Sequence, residues 1–136
     1  MPGMAEHTIA IQNLKARYCL GADLSPEDAA GARLVFDEIL TDDAVGDYGM
    51  GELIGREALT DFLVTAIAAN SEWMIHMLHS PLIDIDGERA KGQWTVLVKT
   101  QRRGGAVETV FGRYEDEFIL TPAGWKIVRV RADLKR

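Results

Sequence analysis

The hydrophobic residues of this chain change their spacing near its midpoint, from the period of a helix to the period of a strand. Ile11, Leu14 and Tyr18 lie three and four residues apart, which is typical of one helix face turned toward a core. Residues 83–86 instead alternate between apolar and acidic side chains, and Gly87 follows them as a turn signal. Helices followed by long antiparallel hairpins predict an α+β domain, with the helices covering one face of a curved sheet.

The first half of the chain predicts three helices. The first loosens at Gly21, so Asp23 is expected at or just past its C-terminus. Ser25 is expected to cap a second helix that begins at Pro26. The apolar side of this second helix is predicted to consist of Leu34, Val35, Ile39 and Leu40. The stripe of the third helix is predicted to consist of Leu59, Phe62, Leu63, Ala66 and Ile67.

The remaining segments predict strands. Residues 44–54 are short and rich in glycine, which indicates a short strand or hairpin between the second and third helices. After the turn at residues 86–87, we expect strands at 90–100, 107–120 and 125–132, joined by glycine-containing turns.

The composition excludes several functional classes. A chain of 136 residues predicts one domain over residues 1–136, and its net charge of −6 with scattered basic residues makes nucleic acid and anionic membranes poor partners. The N-terminus lacks the pattern of a signal peptide, and no apolar run approaches the length of a membrane span. Cys19 is the only cysteine and is expected to be an inert buried thiol. A reducing cytoplasm is therefore the expected location.

Several short motifs follow one another between Ile11 and Arg131. They are Arg17-Tyr18 with Asp23 five residues after the tyrosine, and residues 55–59, 76–79, 83–87, 112–118 and 124–127. In this order they resemble the SnoaL-like branch of the NTF2-like superfamily. The resemblance implies a cystatin-like α+β barrel, in which a cone-shaped antiparallel sheet wraps around the N-terminal helices and encloses an apolar pocket. It also implies a homo-oligomer, either a dimer or a trimer.

The same resemblance implies a catalytic pair. The chain is similar to scytalone dehydratase, bile-acid dehydratase and hexachlorocyclohexane dehydrochlorinase, which use an acid where Asp23 stands and a histidine where His76 stands. His76 would abstract a proton from carbon, Asp23 would orient the imidazole and support its charge, and Tyr18 would polarise an oxygen. This implies a lyase acting without a metal or cofactor on a small apolar cyclic molecule.

At two positions the chain differs from these relatives, so the sequence does not identify the residue that would assist the leaving group. Where two of them supply another acid or histidine, this chain has Val98 or Thr100. An arginine used by two of them falls near Val130, beside Arg129 and Arg131.

Regular strand alternation would place those two arginines on the same face as Trp125 and Ile127. A sheet face with Trp125 and Ile127 would need a cover of some kind, such as a second copy of the chain.

An isomerase of the ketosteroid type is an alternative on the same fold. Tyr18 and Asp116 would then form an oxyanion hole and Asp47 would be the base. In the lyase scheme, Asp47 and Asp116 are instead expected to line the pocket, together with Val98 and Tyr114. Asp116 alternates on one strand face with Tyr114 and could stay protonated there, or could lie ionised and solvated at the rim. A non-catalytic module that only binds a ligand or dimerises is the third hypothesis.

Each candidate catalytic residue also has an alternative explanation in which its role is only structural. Asp23 would then only shape the link between two helices, and Tyr18 would only pack in the core. His79 is expected on the strand face opposite to His76, in a structural or dimer-facing role, and Pro81 would permit a bulge beside it.

Overall fold

The computed structural model describes residues 2–136, and within them it confirms the α+β class. The helices of this part of the chain are α1 (Met4–Leu24), α2 (Ala29–Ile39) and α3 (Arg56–Asn70). The strands are β1 (Leu40–Asp47), β2 (Glu52–Ile54), β3 (Ser71–Asp86), β4 (Arg89–Arg102), β5 (Val107–Thr121) and β6 (Gly124–Lys135). In this described part, no helix is both long enough and apolar enough to cross a membrane.

The strands form a single curved sheet in the order β2-β1-β6-β5-β4-β3. Neighbouring strands are antiparallel except for β1 and β6, which are parallel. The predicted hairpin at residues 44–54 is confirmed as the pair of β1 and β2, although β1 begins earlier than expected, at Leu40.

Period-two alternation gives the sheet an inner face that packs on the helices and an outer face that does not. The register aligns His76, Val98 and Val110 in one row of the inner face, and Trp94 and Tyr114 in another. The core lies between this face and the helices, where Phe36, Leu59 and Val64 are almost fully buried. The inner face of the long strands therefore lines any cavity that the helices leave open.

The predicted start of the second helix is wrong by three residues. The Ser25 hydroxyl donates to the Gly21 carbonyl at 3.0 Å, so Ser25 closes α1 instead of opening α2. The cap of α2 is Asp28, whose carboxylate accepts from the Gly31 N–H at 2.9 Å. Pro26 lies in the turn between the two helices.

The buried face of α2 is also shifted from the prediction. Its buried residues are Ala32, Phe36 and Ile39, whereas Leu34 is exposed and Leu40 already belongs to β1. The predicted stripe of α3 is confirmed, since Leu59 and Leu63 are buried and its other members are partly buried against the core.

A β-bulge at Val128 overturns the predicted face of the two arginines. Glu117 pairs with Arg129 but Phe118 pairs with Ile127, so β6 has one residue more than β5 at this point. The extra residue reverses the alternation beyond Val128. Arg129 and Arg131 consequently lie on the outer face.

The face of β6 that was expected to need a cover is covered within the chain. Trp125 and Ile127 are buried, and the Trp125 indole Nε1 donates to Nδ1 of His7 in α1 at 2.9 Å. They therefore give no reason for a second copy of the chain.

A second bulge interrupts β3. His79 pairs with Thr95 and Leu82 with Gln93, which leaves one extra residue at Ser80-Pro81, and Ser80 has a φ of 51°. The bulge expected beside Pro81 is present, and the His79 side chain is exposed on the outer face.

Candidate active site

Asp23 and His76 meet at the junction of α1 and β3. Oδ1 of Asp23 lies 2.6 Å from the imidazole Nδ1 of His76. The other oxygen, Oδ2, accepts a hydrogen bond from the backbone N–H of His76 at 3.1 Å. Only 8% of the His76 side chain and 19% of the Asp23 side chain are exposed. The carboxylate thus binds both the ring and the main chain of the histidine.

This contact determines the tautomer of the imidazole. A carboxylate accepts hydrogen bonds, so the neutral His76 ring carries its proton on Nδ1 when it donates to Asp23. The lone pair of the neutral ring is then on Nε2. An imidazole held in this way can take a proton at Nε2, and the adjacent carboxylate stabilises the imidazolium that results.

His76 borders a cavity of about 310 Å³ between the inner face of the sheet and helices α1 and α3. Its apolar wall consists of Ala22, Leu63, Ala66, Ile67, Met74, Val98, Val110 and Leu134. Val98 is the cross-strand neighbour of His76. The volume and the apolar wall suit a small ligand with few polar groups.

The three tyrosines of the protein all line this cavity. The hydroxyls of Tyr18 and Tyr48 are hydrogen-bonded to each other, and the rings of Tyr18 and Tyr114 meet edge to face with their centres 5.8 Å apart. Burial is the main cause that raises the pKa of Tyr18 and of Tyr114 well above the ordinary value of 10.0. The phenols are therefore neutral at physiological pH and can donate hydrogen bonds.

Tyr48 was not predicted from the sequence. It follows β1 directly and its ring stacks on Phe62 of α3, with the ring centres 5.5 Å apart. Gly46 makes room for this arrangement, because a Cβ at that position would lie 2.4 Å from a Leu59 methyl group and 3.1 Å from the Tyr48 ring. Period-two alternation along β1 would place Tyr48 on the sheet face opposite to Asp47. This alternation was the sequence signal that could have identified Tyr48.

Asp116 is neither a rim residue nor a solvated one, contrary to one expectation from the sequence. It is 2% exposed, and its Oδ2 lies 2.8 Å from Nζ of Lys15 in α1. Burial raises the pKa of the Asp116 carboxyl, and the charge of Lys15 opposes that rise. Lys15 was also missed by the sequence prediction, since a lysine on a helix normally faces solvent.

Asp47 lies outside this cavity. Its carboxylate accepts from the Gly49 N–H at 2.9 Å, and in the sheet it pairs with Arg131, which is exposed on the outer face. The isomerase alternative, with Asp47 as the base, therefore lacks its geometry.

The arginines of β6 are also elsewhere. Arg129 pairs with Glu52 at 2.7 Å and with Glu117 at 3.4 Å, and Arg131 pairs with Glu115 at 3.3 Å. These pairs lie on the outer face of the sheet, so the two guanidinium groups are not placed to assist a ligand beside His76.

The position expected for a second acid is apolar. Val98 lines the cavity and is 4% exposed. The Thr100 hydroxyl lies 3.0 Å from both the Ser71 hydroxyl and the Trp73 carbonyl oxygen. The hydroxyls of Tyr18 and Tyr48, which line the same cavity, are available there as hydrogen-bond donors.

Polar side chains form part of the rim of the cavity. Glu108 lies 3.2 Å from Nε of Arg102 and 3.2 Å from Nη1 of Arg136, and Asn70 completes this rim. Across residues 2–136, no three His, Cys, Asp or Glu side chains come close enough together to hold a metal ion.

Comparison with known proteins gives the family and the fold. A family model described as a SnoaL-like domain matches residues 4–131. The uncharacterised protein Rv2910c of Mycobacterium tuberculosis (strain H37Rv) is 28% identical over 96 residues, which cover 68% of this chain. The chain spans 65% of the length of that curated relative.

Solved structures with the same fold include proteins of different assigned chemistry. An NTF2-like superfamily protein of Salmonella enterica has a TM-score of 0.86 at 18% identity, covering 96% of this chain and 92% of its own. A protein of Novosphingobium aromaticivorans proposed to be an aromatic ring hydroxylase has a TM-score of 0.83 at 27% identity, with coverages of 99% and 95%. The hexachlorocyclohexane dehydrochlorinase LinA-type3 of Novosphingobium barchaimii has a TM-score of 0.81 at 19% identity, with coverages of 95% and 86%.

Proposed function

We propose, from the premise that this chain belongs to the SnoaL-like domain family, that it is a lyase of the dehydratase or dehydrohalogenase type. Its substrate would be a small, mostly apolar, cyclic molecule bound in the cavity beside His76. The contact of 2.6 Å between Asp23 and His76 at the wall of that cavity is the observation that carries the proposal.

In the proposed reaction, Nε2 of His76 takes a proton from a carbon atom of the substrate. The electron pair of the broken C–H bond forms the new carbon–carbon double bond, and the bond to the leaving group breaks with its pair. A leaving hydroxide takes the proton back from the imidazolium and departs as water. A leaving halide departs as an anion, and the imidazolium returns its proton to solvent. Asp23 stabilises the imidazolium in both cases, and no cofactor takes part.

The tyrosines would assist on the other side of the substrate. Tyr18 and Tyr48 share one hydrogen bond, so whichever hydroxyl donates to the other, the proton of the second is free to bind an oxygen or halogen of the ligand. A donor positioned where negative charge develops lowers the barrier to elimination. This role replaces the acid that is missing at Val98.

The proposal is tested by measuring elimination directly. Hexachlorocyclohexane is one suitable substrate, because a dehydrochlorinase that acts on it shares this fold. Purified protein would be incubated with 3-hydroxycyclohexanone and with hexachlorocyclohexane, and the unsaturated product would be measured. Product formed by the wild-type protein and lost in His76→Gln supports the proposal. Product formed equally by both proteins contradicts it.

A non-catalytic ligand-binding module is the second candidate. It is favoured by the apolar side chain of Val98 beside His76, and by the pairing of Glu108, an acid that lines the cavity, with Arg102 and Arg136. Tight binding of the two probes without any turnover would support this candidate.

We still propose that the protein forms a homo-oligomer, but through a different surface from the face of β6 that carries Trp125 and Ile127. Trp73, Ile75 and Phe111 are between 36% and 52% exposed on the outer face of β3 and β5, and a second copy of the chain would cover them. Sedimentation of Phe111→Lys as a smaller species than the wild-type protein supports this proposal, and an unchanged mass contradicts it.

A further inference from the structure

Two pairs of residues, one on α1 and one on β5, contact each other beside the tyrosines that line the cavity. Lys15 precedes Tyr18 by three residues on α1, so both side chains point to the same side of the helix. Tyr114 precedes Asp116 by two residues on β5, so both point to the inner face of the sheet. The side chains of Lys15 and Asp116 are 0% exposed and their charged atoms are 2.8 Å apart.

The ammonium of Lys15 contacts both rings as well as the carboxylate. Nζ lies 3.7 Å from the ring centre of Tyr18 and 3.5 Å from that of Tyr114. Both distances are well inside the range of about 6 Å at which a cation is attracted to an aromatic face. The positive end of the ion pair is therefore held against two phenols that line the cavity.

Stability alone is a poor explanation for this arrangement. Removing two charges from water is costly, and replacing a buried ion pair with apolar side chains is often neutral or stabilising. A cation against the face of a phenol, in contrast, has a specific electrostatic effect. It withdraws electron density from the ring, which makes the hydroxyl a stronger hydrogen-bond donor.

We propose that Lys15 is a positioning residue of the candidate site: its ammonium, held by Asp116, orients the rings of Tyr18 and Tyr114 and strengthens the Tyr18 hydroxyl as a donor. The effect reaches the ligand directly from Tyr18 or through the hydrogen bond that Tyr18 shares with Tyr48. The ligand atom that benefits is an oxygen or halide that gains negative charge during the reaction. This inference rests on the proposed role of Tyr18.

Tyrosine NMR tests this inference without any turnover. The protein has three tyrosines and all three line the cavity, so labelling their ring carbon Cζ with 13C gives three resonances from the site alone. The test variant is Lys15→Met/Asp116→Leu, which removes both charges and keeps apolar volume. Lys15→Met alone is the second variant, and Lys99→Met, at an exposed position on the outer face, is the control.

We expect the resonances of Tyr18 and Tyr114 to move in both test variants, with a smaller change at Tyr48 and none in the control. The affinity for 4-nitrophenolate, a probe with a strong oxygen acceptor, should fall about tenfold in the test variants only. On a substrate that is turned over, kcat should fall about tenfold while KM changes by less than about twofold. Unmoved Tyr18 and Tyr114 resonances in a folded variant would overturn the inference, as would moved resonances with unchanged kcat and probe affinity.

The outcome is separable from that of the proposed lyase activity. If the wild-type protein turns over neither 3-hydroxycyclohexanone nor hexachlorocyclohexane, the resonances and the affinity for 4-nitrophenolate still decide whether Lys15 polarises the tyrosines. If the lyase is active and Lys15→Met is indistinguishable from the wild-type protein, the inference about Lys15 fails and the proposed function stands.

Discussion

The carboxylate of Asp23 binds His76 at two points, the ring Nδ1 at 2.6 Å and the backbone N–H at 3.1 Å. The backbone contact ties the last turn of α1 to the middle of β3, and the ring contact selects the tautomer with a free Nε2. A residue that only linked α1 to α2 would need neither contact. The two bonds together pre-organise an imidazole base at the wall of a largely apolar cavity.

Substitution of either member of the pair should remove activity while the fold persists. Asp23→Asn can still contact the ring but favours the wrong tautomer, and His76→Gln removes the base. We expect kcat/KM to fall by about 10² to 10⁴ in each variant. His79→Gln, on the exposed outer face of the same strand, is the matched control and should behave as the wild-type protein. Retained turnover in His76→Gln would rule out the proposed base.

Val98→Phe should block the ligand site. Val98 lies beside His76 across the β3–β4 pair, and its side chain faces the cavity, so a larger ring there occupies space that a ligand needs. We expect the affinity for hexachlorocyclohexane or 4-nitrophenolate, measured by calorimetry, to weaken by about tenfold or more. Leu97→Phe places the same ring on the outer face and should leave binding unchanged. Equal affinities for the two variants would place the ligand elsewhere.

Cys19 should resist alkylation in the folded protein. Burial raises the pKa of its thiol to about 12, so the thiolate is a fraction of about 10⁻⁴ at pH 8, and the side chain is 5% exposed. The rate of reaction with iodoacetamide should be at least about 10³ below that of the protein unfolded in urea. A native protein that reacts as fast as the unfolded one would show that this part of α1 is accessible.

Lys15→Met should give the free energy of unfolding a dependence on pH that comes from Asp116. The charge and hydrogen bond of Lys15 oppose the rise in the Asp116 pKa, so their loss moves that pKa further up. Above the ordinary value of 3.8 the folded variant then keeps a proton that the unfolded chain loses. The folded state binds more protons, so stability falls as pH rises, with a slope of up to about 1.4 kcal/mol per pH unit.

Urea unfolding at a series of pH values measures this effect, with Lys15→Met/Asp116→Leu as the reference that lacks the titrating group. The stability of Lys15→Met relative to the reference should decrease with pH until the carboxyl is ionised in the folded state. A difference that is flat, or that increases over the same range, would contradict the assignment of a buried carboxyl.

The sequence predicted the fold where periodicity was long and regular. The stripe of α3 and the alternation of β4 and β5 each extend over several turns or residue pairs, so the average pattern outweighs single exceptions. The pairing of Asp23 with His76 was predicted from a resemblance, and periodicity alone would not have brought an α1 residue next to a β3 residue.

The errors arose where a single local contact decides the structure. The hydroxyl of Ser25 bonds backward to α1, and this choice moves the start of α2. One extra residue at Val128 reverses the alternation of the residues that follow it in β6. Both arginines therefore lie on the outer face, out of reach of the cavity. Lys15 is buried because Asp116 and the Tyr114 ring meet it from β5 while the Tyr18 ring meets it from α1, and the helical pattern of α1 holds no trace of the two partners on β5.

Deuterium exchange at carbon is the most direct test of the proposed base. With 3-hydroxycyclohexanone in D₂O, wild-type protein should accelerate exchange of the hydrogens next to the carbonyl above the buffer rate. His76→Gln should lower that acceleration by about 10² or more while still binding the probe. A probe that binds in the cavity and exchanges at the same rate with wild-type protein and with His76→Gln would contradict proton abstraction by His76.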